Sequence, residues 1–162
     1  MRDAQASLPD LILATFLFFI LLAGLYYYSQ SIQQDAQDRL DRRTLDALTS
    51  NLAEFIIKNP GTPTDWETIE DTNQIQQIGL AQKDRVLNPQ KVVALINMGN
   101  LEYATAKQLL RIPYYEFHLA LEGGVDLETG IEPPANKNTS VVQRLVTING
   151  VETTFTLTLY DP

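Results

Sequence analysis

The chain has 162 residues, with 12 Lys and Arg against 20 Asp and Glu, a formal net charge of −8, one His and no Cys. That length fits one domain with an appendage, and the acidic balance opposes non-specific nucleic-acid binding, which needs clustered cations to displace counterions. The missing cysteines exclude disulfide scaffolds, thiol catalysis, iron–sulfur clusters and thiolate zinc sites, and the single His removes most histidine-based metal sites, so no cofactor is expected.

Taken from the N-terminus, the first element is a membrane-type helix. Residues 11–34 hold no charged side chain, and residues 11–28 read LILATFLFFILLAGLYYY. At ~1.5 Å per residue those eighteen residues reach about 27 Å, close to the ~30 Å hydrocarbon core of a bilayer. The run is apolar on all sides, and Tyr26, Tyr27 and Tyr28 suit an interfacial aromatic belt. A secretory signal peptide would have a shorter apolar run followed by small residues at a cleavage site, whereas here tyrosines and glutamines follow. Flanking charge sets no orientation. Arg2 stands with Asp3 and Asp10 on one side, and Arg39, Arg42 and Arg43 with Asp35, Asp38 and Asp41 on the other.

The helix is predicted to start near Ser7 or Leu8. Ser7-Leu8-Pro9-Asp10 fits the capping box, in which the serine accepts from a free backbone N–H and the acid reaches back; proline is tolerated in a first turn. Residues 29–58 contain no Pro or Gly. Ile32, Ala36 and Leu40 recur at helical spacing, then Leu45, Leu48, Leu52 and Phe55–Ile56 form a broader apolar stripe. One continuous helix, roughly 73 Å from Asp10 to Lys58 at 1.5 Å per residue, is expected to pack its outer half on a globular head. Asn59-Pro60-Gly61-Thr62-Pro63 stops it.

The head, residues 59–162, reads as mixed. Asn88-Pro89 opens one short helix and residues 103–110 a second. Residues 114–121 alternate as a strand with Tyr115, Phe117, Leu119 and Leu121 on one face. Asn149-Gly150 between two strand-like runs is the type I′ hairpin signature, and its two-residue loop pairs residues whose numbers sum to 299. That register puts Val142, Arg144, Val146, Ile148, Val151, Thr153, Phe155 and Leu157 on a largely apolar face and leaves a wet face opposite. Residues 122–139 read as a long polar loop, of a length that is usually functional or disordered. The fold class expected is α+β, a long N-terminal helix packed on a small antiparallel sheet with short extra helices.

The order of these pieces resembles type IV pilin-like proteins, and more narrowly archaeal pilin-like proteins with a class III signal peptide. In that family a prepilin-type signal peptidase cuts before the apolar helix, commonly between a small residue and Gln, and Ala4-Gln5 matches with Arg2 upstream. The head matches further: Pro60-Gly61-Thr62-Pro63-Thr64-Asp65-Trp66, then Gly79-Leu80-Ala81, then Leu87-Asn88 to Lys91, then Tyr103, Lys107, Leu109 and Leu110, then Tyr115 and Phe117. The family's Glu five places into the mature chain is Pro9 here, with Asp10 next to it. The resemblance implies a leader of residues 1–4, a transmembrane helix and flank over 5–34, an amphipathic extension over 35–58 and an extracellular head over 59–162. It implies a membrane-anchored structural subunit of a cell-surface filament. Its partners would be the membrane, the peptidase and copies of itself or related subunits through the helix, with no nucleic acid. A minor, tip or non-polymerising anchored surface binding protein is the alternative.

Individual residues carry two readings each. Asp10 is either a cap at the membrane edge or, as the resemblance implies, the partner of a neighbour's α-amine, since a charge in an apolar bundle needs one. Trp66 reads as an anchor clasping the turn to the helix rather than as a recognition aromatic. His118 reads as a solvated strand-face histidine, because a base would need a nucleophile and an orienting acid that spacing does not supply. Asp126, Glu128 and Glu132 match no twelve-residue calcium loop, and no metal is expected there. Asn138-Thr139-Ser140 is an N-glycosylation triplet on the long loop, a chance match or a used acceptor. No phosphate loop, zinc motif or nucleophile elbow is present, and no enzymatic activity is expected.

Overall fold

The computed structural model describes residues 8–124 and 126–162, and within the first helix the side chains of residues 11–30 and 40–58. The fold is α+β. Helix α1 runs unbroken over Leu8–Lys58, and the chain divides inside it into two compact units, Met1–Asp41 and Arg42–Pro162. In the first unit Leu11–Gln30 is long and apolar enough to cross a membrane, and every side chain in it is exposed. Thr15 hides its hydroxyl by donating to the Leu11 carbonyl at 2.8 Å, the usual way a helix absorbs a lone hydroxyl.

The second unit is a sheet with helices on one face. Strands β1 (Gly61–Thr62) and β2 (Gln77–Ile78) form a small antiparallel pair. Strands β3 (Ala81–Lys83), β4 (Val86–Leu87), β5 (Glu116–Glu122), β6 (Leu127–Gly130), β7 (Thr139–Ile148) and β8 (Val151–Tyr160) form a six-stranded sheet ordered β3-β4-β7-β8-β5-β6. Helices α2 (Pro89–Leu101) and α3 (Tyr103–Leu109) lie between β4 and β5 in sequence. Asn88 caps α2 by accepting from the Gln90 N–H at 2.9 Å, with Pro89 in the first turn.

The β7–β8 hairpin has the expected register, Ile148 opposite Val151 and Val142 opposite Leu157, and its loop residues Asn149 and Gly150 both take positive φ. Phe117, Leu119, Leu121, Val146, Ile148, Phe155, Leu157 and Leu159 bury one face of the sheet. Residues 42–58 of α1 supply core from above through Leu45, Leu52, Ala53, Ile56 and Ile57.

Four expectations are corrected. The sheet is mixed rather than antiparallel, because β4 runs parallel to β7. Residues 122–139 are not one loop: β6 pairs with β5, and Thr129 is buried with its hydroxyl 3.2 Å from the Ile96 carbonyl and 3.0 Å from Asn100 Oδ1. The apolar stripe of α1 keeps Leu45, Leu52 and Ile56 in the core with Leu48 half-buried against it, but it is wider than expected, since Thr49, Ala53 and Ile57 are also buried, while Phe55 is only half-buried. The outward sheet face is not wholly wet. Thr158 and Tyr160 are buried on it; to pass from β6 to β7 the chain must cross β5 and β8, and Tyr160 donates to the Ile131 carbonyl at 3.1 Å on that crossing.

Candidate functional site

Two features gather these residues, each inside its own unit, one an exposed helix surface and the other a buried anchor. The first is the helix surface of Leu11–Gln30. Its Leu, Ile and Phe side chains are half or more exposed in most cases, and Tyr26, Tyr27 and Tyr28 are 68, 79 and 64% exposed. An apolar face of that extent is unstable in water and needs lipid or another apolar surface. Gln30 donates to the Tyr26 hydroxyl at 2.7 Å, so the polar end of the segment begins to satisfy itself at the tyrosines. Ala4, Gln5 and Ser7 lie outside the described residues, and Asp10 is described only as backbone in the first turn of α1.

The second feature, a buried anchor, is built where the head begins. A helix end leaves carbonyls without intrahelical partners, and here the next segment supplies them. Leu80 N–H donates to the Ile56 carbonyl, Ala81 N–H to Asn59 and Arg85 N–H to Ile57, at 2.9, 3.0 and 3.1 Å. Gly79 has to be a glycine for this approach, since a Cβ there would stand 2.2 Å from the Asn59 carbonyl. Trp66 is 1% exposed, and its indole N–H donates to the Gly79 carbonyl at 2.8 Å. Gly61 has φ +89°, and a Cβ there would lie 2.5 Å from Trp66 Cδ1. Thr62–Pro63 is a cis peptide. Lys91 on α2 is 3% exposed and closes the turn: its ammonium donates to the Pro60 and Thr64 carbonyls and faces Glu67 Oε2 at 3.6 Å.

A parallel arrangement holds α3 to the sheet. The Tyr103 ring stacks on Phe117 with centroids 5.0 Å apart, and its hydroxyl accepts from the Phe117 N–H at 3.0 Å. Burial raises the Tyr103 pKa above its ordinary value. Lys107 pairs with Glu116 at 2.8 Å. Burial pushes the Glu116 carboxyl up, but the Lys107 and Tyr103 hydrogen bonds outweigh it and leave it lowered. The sequence fragments around Pro60, Gly79, Asn88 and Lys91 thus belong to one assembly, and those around Tyr103 and Phe117 to another.

Arg144 lies on the apolar sheet face, and the fold answers it from α1. Its Nε donates to Glu54 at 2.6 Å, and Lys58 pairs with the other Glu54 oxygen at 2.7 Å. The hydrogen bonds from Lys58 and then Arg144 lower the Glu54 pKa from 4.5 to about 2. Motif and spacing alone do not mark Lys91 or Arg144 as site residues. The usable signal was a cation at an apolar position, Lys91 beside Val92 and Leu95 on one helix face, and Arg144 between Val142 and Val146 on one strand face.

The remaining candidates stay apart from both features. His118 is 20% exposed and its Nε2 lies 3.7 Å from Glu128 across the β5–β6 pair. Asp126 accepts from the Gly123 N–H at 3.3 Å, and Glu132 is exposed on the crossing segment. Among the described residues no group of three or more His, Asp or Glu side chains is placed to hold a metal ion. Asn138 is exposed immediately before β7. No protein-family model, curated protein or solved structure matches the chain.

Proposed function

We propose that this chain is a type IV pilin-like subunit, anchored in the membrane by Leu11–Gln30, displaying residues 59–162 outside the cell and assembling into a surface filament. The observation that carries the proposal is the composition of α1. One uninterrupted helix, Leu8–Lys58, presents a fully exposed apolar surface over Leu11–Gln30 and core residues of a folded head over residues 45–57. A helix that served only the head would not carry a membrane-length apolar run in addition to its core residues.

The mechanism is an exchange of apolar surroundings. Lipid satisfies the segment before assembly, and the same segments of sister subunits satisfy it afterwards, so the exchange involves little change in exposed apolar area. Removal of Met1 to Ala4 would free the α-amine of Gln5, and Asp10 would offer the charge that an amine in such a bundle requires. The head stays outside the bundle, stabilised by the Trp66–Lys91 assembly and the Glu54–Arg144 pair in place of disulfides.

N-terminal mass analysis of protein from its native membrane, together with quantitation in sheared surface filaments, tests the reading. The expected results are a chain beginning at Gln5 and enrichment in the sheared fraction. An intact Met1 refutes it. A chain beginning at Gln5 that stays in the membrane fraction supports the anchored, non-polymerising surface protein instead.

A further inference from the structure

Asn138-Thr139-Ser140 is the chain's single Asn-x-Ser/Thr triplet, and the fold treats its two ends differently. Asn138 is exposed, at the end of a turn closed by the Lys137 N–H donating to the Pro134 carbonyl at 3.1 Å. Ser140, two residues on, is only 4% exposed and already part of β7, paired with Leu159 of β8. Between them Thr139 is half-buried opposite Tyr160. A transferase that attaches sugar to such a triplet reads both the amide and the hydroxyl. In the folded head the amide is on offer and the hydroxyl is sealed in the sheet.

We propose that Asn138 is an N-glycan acceptor, and that it is modified before β7 joins β8. The proposal rests on the reading that the head lies outside the cell, where lipid-linked sugar donors are used. The donor class is an oligosaccharide joined through its anomeric carbon to a polyisoprenyl phosphate. The Asn138 amide nitrogen attacks that carbon, a nitrogen–carbon bond forms, and the bond from the carbon to the phosphate oxygen breaks. The lipid phosphate leaves with the electron pair, and the amide proton passes to a base of the transferase. No oxidation state changes, and no residue of this chain other than the triplet takes part.

The fold then retains the product. The acceptor points into solvent at the mouth of the crossing segment, so a bulky sugar meets no packed side chain once β7 has paired, while Ser140 becomes unreadable. Modification is therefore tied to the order of folding: residues 138–140 must meet the transferase before residues 157–160 pair with the start of β7 and complete the register.

The test uses the full chain expressed in cells whose transferase and lipid donor act on Asn-x-Ser/Thr triplets, with a second triplet, Asn-Ala-Thr, appended after Pro162. Peptide mass spectrometry is expected to find sugar on Asn138, with Asn138→Gln and Ser140→Ala each abolishing it; Asn138→Gln changes an exposed side chain and leaves the fold intact. Bare Asn138 with a modified appended triplet overturns this proposal and leaves the external placement of the head standing. Two bare triplets overturn both. The order is tested with chain purified from cells lacking the transferase. Folded protein in detergent, given transferase membranes and donor, is expected to gain at least tenfold less sugar than the same protein freshly diluted from denaturant. Equal modification of the two overturns the order.

Discussion

Replacing Lys91 by methionine keeps the volume of the side chain on α2 and removes its ammonium. The carbonyls of Pro60 and Thr64 then lose a buried donor, and Glu67 loses the cation 3.6 Å away. A stranded buried acceptor costs ~1–3 kcal/mol, and breaking a buried ion pair from one side costs ~3–5 kcal/mol. These terms overlap, because one ammonium serves all three groups, so the expected loss is about 3–5 kcal/mol out of the ~5–15 kcal/mol typical of a domain. At about 4 °C per kcal/mol for a unit of this size, the midpoint falls by about 12–20 °C. The chain has one tryptophan, Trp66, and it sits inside the affected turn with its indole bonded to Gly79. Its emission on heating the full chain in detergent therefore reports on the assembly directly. Lys83→Met, at an exposed position on β3, is the matched control and should stay within about 0.5 kcal/mol of the parent. If Lys91→Met unfolds alongside that control, the lysine does not hold the turn and the anchoring role assigned to it fails.

Gly61→Ala places a Cβ at a positive φ and 2.5 Å from the Trp66 ring, so about 1–3 kcal/mol of destabilisation is expected from strain alone, read as a lowered midpoint in the same emission assay; an unchanged midpoint contradicts it. The lowered pKa of Glu54, 4.5 to about 2, makes stability depend on acid. The unfolded chain takes up that proton first as pH falls, so the stabilisation is complete above the ordinary value and is lost as pH drops through about 2. Glu116, also lowered, adds in the same direction. Denaturant midpoints between pH 6 and pH 2 should fall, and Glu54→Gln should flatten the curve; an equally steep curve in the variant removes Glu54 from the account. For the helix surface, Ile20→Arg together with Leu21→Arg puts two charges at the middle of Leu11–Gln30, at a cost of ~5–7 kcal/mol for membrane insertion, more than the remaining apolar side chains return at ~0.3–0.6 kcal/mol each. Loss of the protein from the alkali-washed membrane pellet is expected, and full retention argues against a spanning segment.

Much of the architecture follows from short-range rules. The Leu8–Lys58 helix, its stop at Asn59-Pro60, the Asn88 cap and the β7–β8 register are each legible because they depend on neighbours within about four residues. Asn149-Gly150 alone sets ten strand pairs, from Ile148–Val151 to Thr139–Tyr160, because a two-residue turn leaves one register. What the tertiary structure decided is which distant segments meet. Leu127–Gly130 lies in a stretch full of Gly, Pro and acid, and becomes a strand only because β5 offers an edge and Gly99 lets α2 close over Thr129. Val86–Leu87 is too short to declare itself and runs parallel to β7 because the helix end draws Arg85 to Ile57. Thr158 and Tyr160 alternate like their wet neighbours yet are buried, and Tyr160 bonds a crossing segment that no periodicity announces. Lys91 and Arg144 make the same point with charge. Each is a cation on an apolar face, and its partners at Pro60, Thr64, Glu67 and Glu54 stand tens of residues away, brought within hydrogen-bond or ion-pair reach only when the helix end, the turn and the sheet close on one another.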